Sequence, residues 1–406
     1  LMVAMVLSDA NTNVARRSAA MPGILPAIGG MLALASALGI GRFVYTPILP
    51  AMAEAVGLSR TQAGLIASAN FLGYLIGALL AAAPWLPGGR RAWMLGALSG
   101  GAAATAAVGW ADTVPVFLLL RFTGGVASAF VLVLGSTLVL DWLARVGLDR
   151  WAALHFAGVG FGIAVSALLV DALQGAGATW RTLWLASGAM AGAAVPFTAW
   201  LVPGNTDAMT NKPVIGEASG TEALSSDLKL LILCHGLFGF GYVVSATFIV
   251  AAVRASPELR VLDGGVWLVV GLAAIPSISA WNRAAQRFGV LPAYALACFA
   301  AAIGVGVDGL WQTPAGVLLA AMLLGGTFMG ITALGFVAAR ALAPQQQGRS
   351  SALMTASFGV GQIAGPLVAG LLLDATGRFV LPSIIAAAAL IMAAAIAGTA
   401  ARNSMS

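Results

Sequence analysis

The chain has 406 residues, 60% of them hydrophobic and only 8% charged, and its mean hydropathy is +0.96. Soluble domains are about 25% charged, so the composition argues against a soluble globular or a disordered chain. The excess of Lys+Arg over Asp+Glu, 20 against 14, then bears on membrane topology rather than on nucleic-acid binding.

In chain order, residues 1–23 read as a polar cytoplasmic tail. Arg16 and Arg17 fit the positive flank of a first spanning helix better than a twin-arginine or cleavable signal, because no compact apolar run with a small-residue cleavage site follows them. Twelve apolar segments come next: 26–53, 61–84, 92–111, 114–141, 151–173, 179–201, 228–253, 264–282, 290–308, 313–341, 351–374 and 379–400. At 1.5 Å per residue each can cross about 30 Å of hydrocarbon. The predicted fold is an all-α membrane protein. Its twelve transmembrane helices form two six-helix bundles, 24–201 and 228–400, with a polar linker at 202–227 and a short tail at 401–406.

Basic residues orient the chain. With the N-terminus inside, the inner loops and tails hold Arg16, Arg17, Arg90, Arg91, Arg145, Arg150, Lys212, Lys229, Arg283, Arg287, Arg340, Arg349 and Arg402. The outer loops hold only Arg60, Arg181, Arg254, Arg260 and Arg378. Both termini are therefore expected in the cytoplasm. Trp85, Trp110, Trp142, Trp180 and Trp311 stand at segment ends, as an interfacial belt requires. The halves also match each other. A shift of 200 lays "LGIGRFVYT" (38–46) on "FGFGYVVSA" (238–246). A shift of 201 lays Gly124-Gly125 on Gly325-Gly326, and the GVG at 158–160 on that at 359–361. Two parallel repeats are a transporter architecture, with the binding site between them near the midplane.

Several stretches resemble the major facilitator superfamily, over about 24–400. "LLLRFTGGVASA" (118–129) resembles its fourth-helix motif, and "SFGVGQIAGPLVAG" (357–370) its glycine/proline motif, here in helix 11. "AAQRFG" (284–289) is similar to a loop motif that normally carries an acid where Gln286 stands. The matching stretch at 81–91 keeps Arg90-Arg91 but also lacks the acid. "GIGRFVYTPILP", "GLFGFGYVVSATF" and "GGTFMGITALGF" resemble the YbfB/YjiJ-like branch. The resemblance implies transport by alternating access and a central cavity lined by helices 1, 4, 7 and 10; it fixes no cargo. Short loops and the Ala/Gly-rich composition fit a bacterial inner membrane.

Within that frame Arg42 lies about 16 Å deep in helix 1 and Arg121 about 10 Å deep in helix 4. Burying each costs roughly 2.5–3.5 kcal/mol. All fourteen acidic residues read as helix ends or loops, so none is placed to offset that cost. An anionic solute held by bidentate hydrogen bonds would supply the missing partner; bonding to backbone carbonyls would serve equally. Tyr45, Asn70, Tyr74, Tyr242 and Gln362 could orient such a solute or bond across helices. His155 and His235 are proton-coupling candidates, or packed core histidines. The glycines at 39, 41, 158, 160 and 162 lie outside any βαβ context and read as close helix packing, not as a nucleotide loop. Cys234 and Cys298 show no metal or disulfide spacing, and no HExxH, GxSxG or P-loop is present. The expectation is a monomeric, cofactor-free transporter, not an enzyme, whose partners are a small anionic solute and membrane lipid. The alternative is a proton-linked exporter of hydrophobic or zwitterionic compounds with structural arginines.

Overall fold

The computed structural model describes residues 23–83, 86–204 and 223–403; the N-terminal tail, Trp85 and most of the expected linker, including Lys212, lie outside them. Each apolar segment forms a helix: α1 (Leu25–Val56), α2 (Arg60–Ala81), α3 (Arg90–Trp110), α4 (Val114–Arg145), α5 (Asp149–Gly175) and α6 (Trp180–Leu201). The second half follows with α7 (Ser226–Ala255), α8 (Gly265–Phe288), α9 (Val290–Leu310), α10 (Pro314–Leu342), α11 (Gln347–Thr376) and α12 (Val380–Asn403). We call the side bearing the chain ends and the 2–3, 4–5, 8–9 and 10–11 connections the terminal side, and the opposite one the distal side.

Two segments differ from their expected form. The eighth is no single rod over 264–282. It is a pair, Gly265–Ala274 and Ser277–Phe288, bent by 44°. Pro276 lacks an N–H, so the backbone ladder breaks there and restarts, carrying Arg283 and Arg287 into the second piece. The first segment is interrupted too. Residues Ala35–Ile40 form a widened turn, with Gly41 N bonded to the Ser36 carbonyl at 2.8 Å and Phe43 N to that of Leu38 at 3.1 Å. Such five-residue bonds mark a π-bulge, which often accompanies a functional site.

Within the first bundle α4 packs on α2 and α3, α6 on α3, and α1 on α5; within the second α9 packs on α10 and α12, α7 on α11 and α12, and α8 on α10. The bundles meet where α2 lies on α11, α5 on α8 and α1 on α7. The pseudo-symmetry is visible in single atoms. A Cβ on Gly125 would come within 2.0 Å of the Asn70 carbonyl oxygen, and one on Gly325 within 2.1 Å of that of Val270. Asn70 and Val270 are themselves 200 apart, so the structural offset in this helix is 200, not 201. Close approach is also served within the first bundle: a Cβ on Gly39 would lie 2.5 Å from the Gly162 Cα.

Described hydrogen bonds between the bundles gather toward the distal side. Ser68 Oγ donates to the Ile363 carbonyl at 2.7 Å and Thr46 Oγ1 to that of Ala246 at 2.6 Å. Farther out, Asp374 at the end of α11 accepts from the backbone N–H groups of Arg60 (2.9 Å) and Thr61 (2.8 Å) at the start of α2. Arg254 reaches Gln174 across the seam while holding Asp263 at 2.6 Å. The twofold mate of the Asp374 junction is Asp171 at the end of α5. Its carboxylate sits against Gly264, the N-cap of α8, so closely that a Cβ there would lie 1.8 Å from Oδ1. "LLVDA" (168–172) and "LLLDA" (371–375) encode the pair. Each places a carboxylate at the positive end of a helix from the other bundle.

The outside of the bundle is apolar, with Leu119, Leu168, Phe197, Trp200 and Val360 exposed, which suits an integral membrane protein. Trp110 and Trp311 are exposed at the distal ends. Trp180, expected in the same belt, is instead buried edge-on against Phe117, 6.0 Å between centroids.

Candidate functional site

The break in α1 determines what both arginines do. Pro47 has no N–H, so the Phe43 carbonyl loses its usual helical donor. The Thr46 N–H takes that carbonyl instead, at 3.3 Å, which leaves the Arg42 carbonyl open. Arg121 Nη2 fills it at 2.7 Å, and Arg121 Nη1 takes the Gly41 carbonyl at 2.8 Å. The rings of Tyr45 and Trp184 flank the Arg121 guanidinium at 5.2 and 5.5 Å, and the residue is only 3% exposed. Arg121 therefore ties α4 to the break in α1 through backbone oxygens.

Arg42 is differently placed. It is 5% exposed, and its guanidinium carbon lies 4.5 Å from the Phe71 ring centroid, 4.4 Å from that of Tyr74 and 5.4 Å from that of Phe43. These π faces hold the charge by cation–π attraction. The Tyr74 hydroxyl also lies within hydrogen-bonding reach of the guanidinium, but Arg42 Nε and Nη2 are buried without a hydrogen-bond partner in the protein. Those two nitrogens form one edge of the guanidinium, the fork that receives a carboxylate or phosphate side-on.

Of the other candidates, Tyr74, Tyr242 and Gln362 join Arg42. Arg42 and Tyr74 lie within electrostatic reach of the Tyr242 hydroxyl, and Gln362 Nε2 donates to that hydroxyl while its Oε1 is buried without a partner. Ring contacts link the group across the seam. Phe43 meets Phe328 edge-on at 5.9 Å, and Phe328 stacks on Tyr242 at 5.8 Å. The sequence reading missed Phe43, Phe71 and Phe328. Aromatics are common in apolar helices, and only the fold shows which ones face an arginine. Tyr45 and Asn70 are engaged elsewhere: the Tyr45 hydroxyl donates to the Ala63 carbonyl at 2.8 Å, and Asn70 Nδ2 to that of Arg121 at 2.8 Å.

His155 and His235 are both fully buried. His155 Nε2 meets Ser136 Oγ at 2.9 Å. His235 Nδ1 meets the Tyr294 hydroxyl at 3.3 Å, and its ring lies tilted 5.1 Å from Phe358, which stacks on Tyr242. No described hydrogen bond or ring contact joins either histidine to Arg42. Asp308 stands near the distal end of α9, as its sequence position implies, yet it is only 7% exposed, with Oδ2 accepting from Ser245 Oγ at 2.8 Å. A separate lateral groove between α3 and α6, lined by Ser99, Ala102, Trp110, Gly188 and Gly192, opens outside the bundle and does not include Arg42.

Twelve helices in two pseudo-symmetric bundles, with buried polar groups at the seam, define a transporter of the major facilitator type. A family described as "Uncharacterised MFS-type transporter YbfB" matches residues 34–398, and the chain belongs to it. It is 24% identical over 367 residues to "Uncharacterized MFS-type transporter YceJ" of Bacillus subtilis (strain 168), covering 84% of this chain and 88% of that protein. Among solved structures, the nucleoside transporter NupG superposes with a TM-score of 0.67 at 15% identity, covering 94% of this chain and all of NupG. The human organic anion transporter MFSD10 (TETRAN) superposes with a TM-score of 0.66 at 15% identity, covering 93% and 100%. At that identity the structural likeness establishes the fold alone.

Proposed function

We propose that the protein carries a small anionic solute across the bacterial inner membrane by alternating access, with both termini in the cytoplasm and Arg42 as the anion-binding group. One observation carries this reading: the empty side-on fork of Arg42, held between Phe71 and Tyr74. A guanidinium with two unmade hydrogen bonds in an apolar interior is costly, and an oxyanion there would form two charge-assisted bonds at once. The Tyr74 and Tyr242 hydroxyls and Gln362 would orient the bound solute. Arg121, Asn70 and Tyr45 position Arg42: both Arg121 Nη groups, Asn70 Nδ2 and the Tyr45 hydroxyl donate to backbone carbonyls of neighbouring helices, and of their polar atoms only Arg121 Nε and Asn70 Oδ1 are without a partner. That the printed name of MFSD10 describes organic anion transport is in keeping with this cargo class.

The commitment of Arg121 to carbonyls favours the alternative, a proton-linked exporter with structural arginines. Thermal unfolding against a ligand panel separates the two. Acetate, lactate, benzoate, phosphate and sulfate represent the anions; zwitterionic amino acids and neutral or cationic amphiphiles represent the rest. A ligand at 100 times its Kd stabilises the folded state by about 2.7 kcal/mol. The expected result is stabilisation by at least one anion and by none of the amphiphiles. Stabilisation by amphiphiles alone would replace this reading with the exporter.

A further inference from the structure

Asp308 is the one carboxylate among the buried polar side chains of the described residues. Its described hydrogen bond comes from Ser245 Oγ on α7 at 2.8 Å, and the neighbouring Gly309 packs on Ser383 of α12. No described salt bridge gives it a counter-charge; in the 11–12 connection, two residues before the Val380 that packs near Gly309, stands Arg378. Between Val380 and Ala401, α12 has no titratable side chain. On α10 the charged residue is Arg340, and on α8 they are Arg283 and Arg287, all toward the terminal side. On α9 itself the others are Tyr294 and Cys298. On α7, Asp227, Lys229, Cys234 and His235 lie toward the terminal side, and Tyr242 is one turn from Ser245. Arg254 lies nine residues beyond Ser245 and is held by Asp263. An isolated carboxylate in such surroundings is expensive when charged and cheap when protonated.

The donor to Asp308 lies on α7, the helix of the second bundle that meets α1 at the seam. Ser245 is followed by Ala246, whose carbonyl accepts from Thr46 of the first bundle at 2.6 Å. That bond has to break if the bundles part on the distal side. Parting would also admit water to Asp308 and lower the cost of its charge.

We propose that Asp308 is a proton-binding site coupled to the distal gate. With the bundles joined at Thr46 and Ala246, the carboxyl carries its proton. When the distal side opens, the O–H bond of the carboxyl breaks, the proton passes to water, and the hydrated carboxylate holds the gate open. This assignment rests on the two-bundle fold and not on the anion reading. It also differs in sign from the exposed carboxylates at the seam. Protonating Asp374 or Asp171 weakens a junction and opens the gate on acidification, whereas protonating Asp308 closes it.

The test needs no cargo. Spin labels at Ala55 and Val261, exposed on the distal side of the first and second bundles, report gate distance; the native cysteines are buried. In purified full-length protein the open fraction should rise with pH, by up to about tenfold per unit, the limit for one proton. Asp308→Asn should keep the closed distance at every pH. Ser245→Ala, which retains the carboxylate and removes its hydrogen-bond donor, should displace the midpoint. An Asp308→Asn protein with the wild-type pH profile, a wild type whose distance ignores pH, or an undisplaced midpoint in Ser245→Ala would each overturn the assignment.

Discussion

Replacing Arg121 with leucine lowers stability by about 2–4 kcal/mol, the largest loss expected from any single change at the seam. The estimate follows from two carbonyls, Gly41 and Arg42, that Arg121 holds at 2.8 and 2.7 Å. A buried acceptor left without its donor costs about 1–3 kcal/mol. Relief of a buried charge returns part of that, which sets the upper limit. Lysine should not rescue, because a single ammonium cannot span two carbonyls as the planar guanidinium does. Thermal unfolding in detergent, followed by tryptophan emission, measures the effect. Wild-type stability in Arg121→Leu would mean that the carbonyls find other donors and that Arg121 is free for a different role. The change should also weaken any ligand held by Arg42, since the carbonyl that Arg121 grips belongs to that residue.

The second large effect lies at the distal junction. Asp374→Ala removes two backbone hydrogen bonds between the bundles and the carboxylate at the start of α2. Charge-assisted bonds of this kind reach about 1.5–3 kcal/mol each when sheltered, but Asp374 is exposed and solvent screens it. A net of about 1–2 kcal/mol is expected, enough to raise the distal-open population roughly 5- to 30-fold. Asp171→Ala should act in the same direction at the twin junction. The two contacts lie at opposite interfaces and share no residue, so the double variant should show the sum. Distances between labels at Ala55 and Val261 report it. An unchanged distribution in the double variant would show that the carboxylates merely decorate the seam.

Much of the fold is legible in the sequence, because membrane helices announce themselves by length and apolarity. The spans, their pairing and the seam glycines follow from those rules. The two breaks do not. A proline in a membrane helix can be absorbed or can bend the chain, and only packing decides. Pro276 bends α8 by 44°, while Pro366 stays inside the continuous helix α11. The site was half legible. Arg42 and Arg121 stand out as charges in oil, yet only three dimensions separate a guanidinium whose two Nη groups are held by carbonyls from one whose side-on fork is open. Asp308 was passed over for the same reason. A residue two positions from a helix end can face water or the protein interior, and depth along the axis does not say which.

The open fork itself is tested most directly by titration calorimetry. It uses whichever panel anion stabilises the wild type, on wild type, Arg42→Gln and Arg42→Lys. Loss of one partner of a buried, hydrogen-bonded charge pair costs about 2–5 kcal/mol, so Arg42→Gln should bind about 30- to 4,000-fold more weakly, with Arg42→Lys between the two. Equal affinity in wild type and Arg42→Gln would contradict the account and leave Arg42 as a cation held by aromatic faces alone.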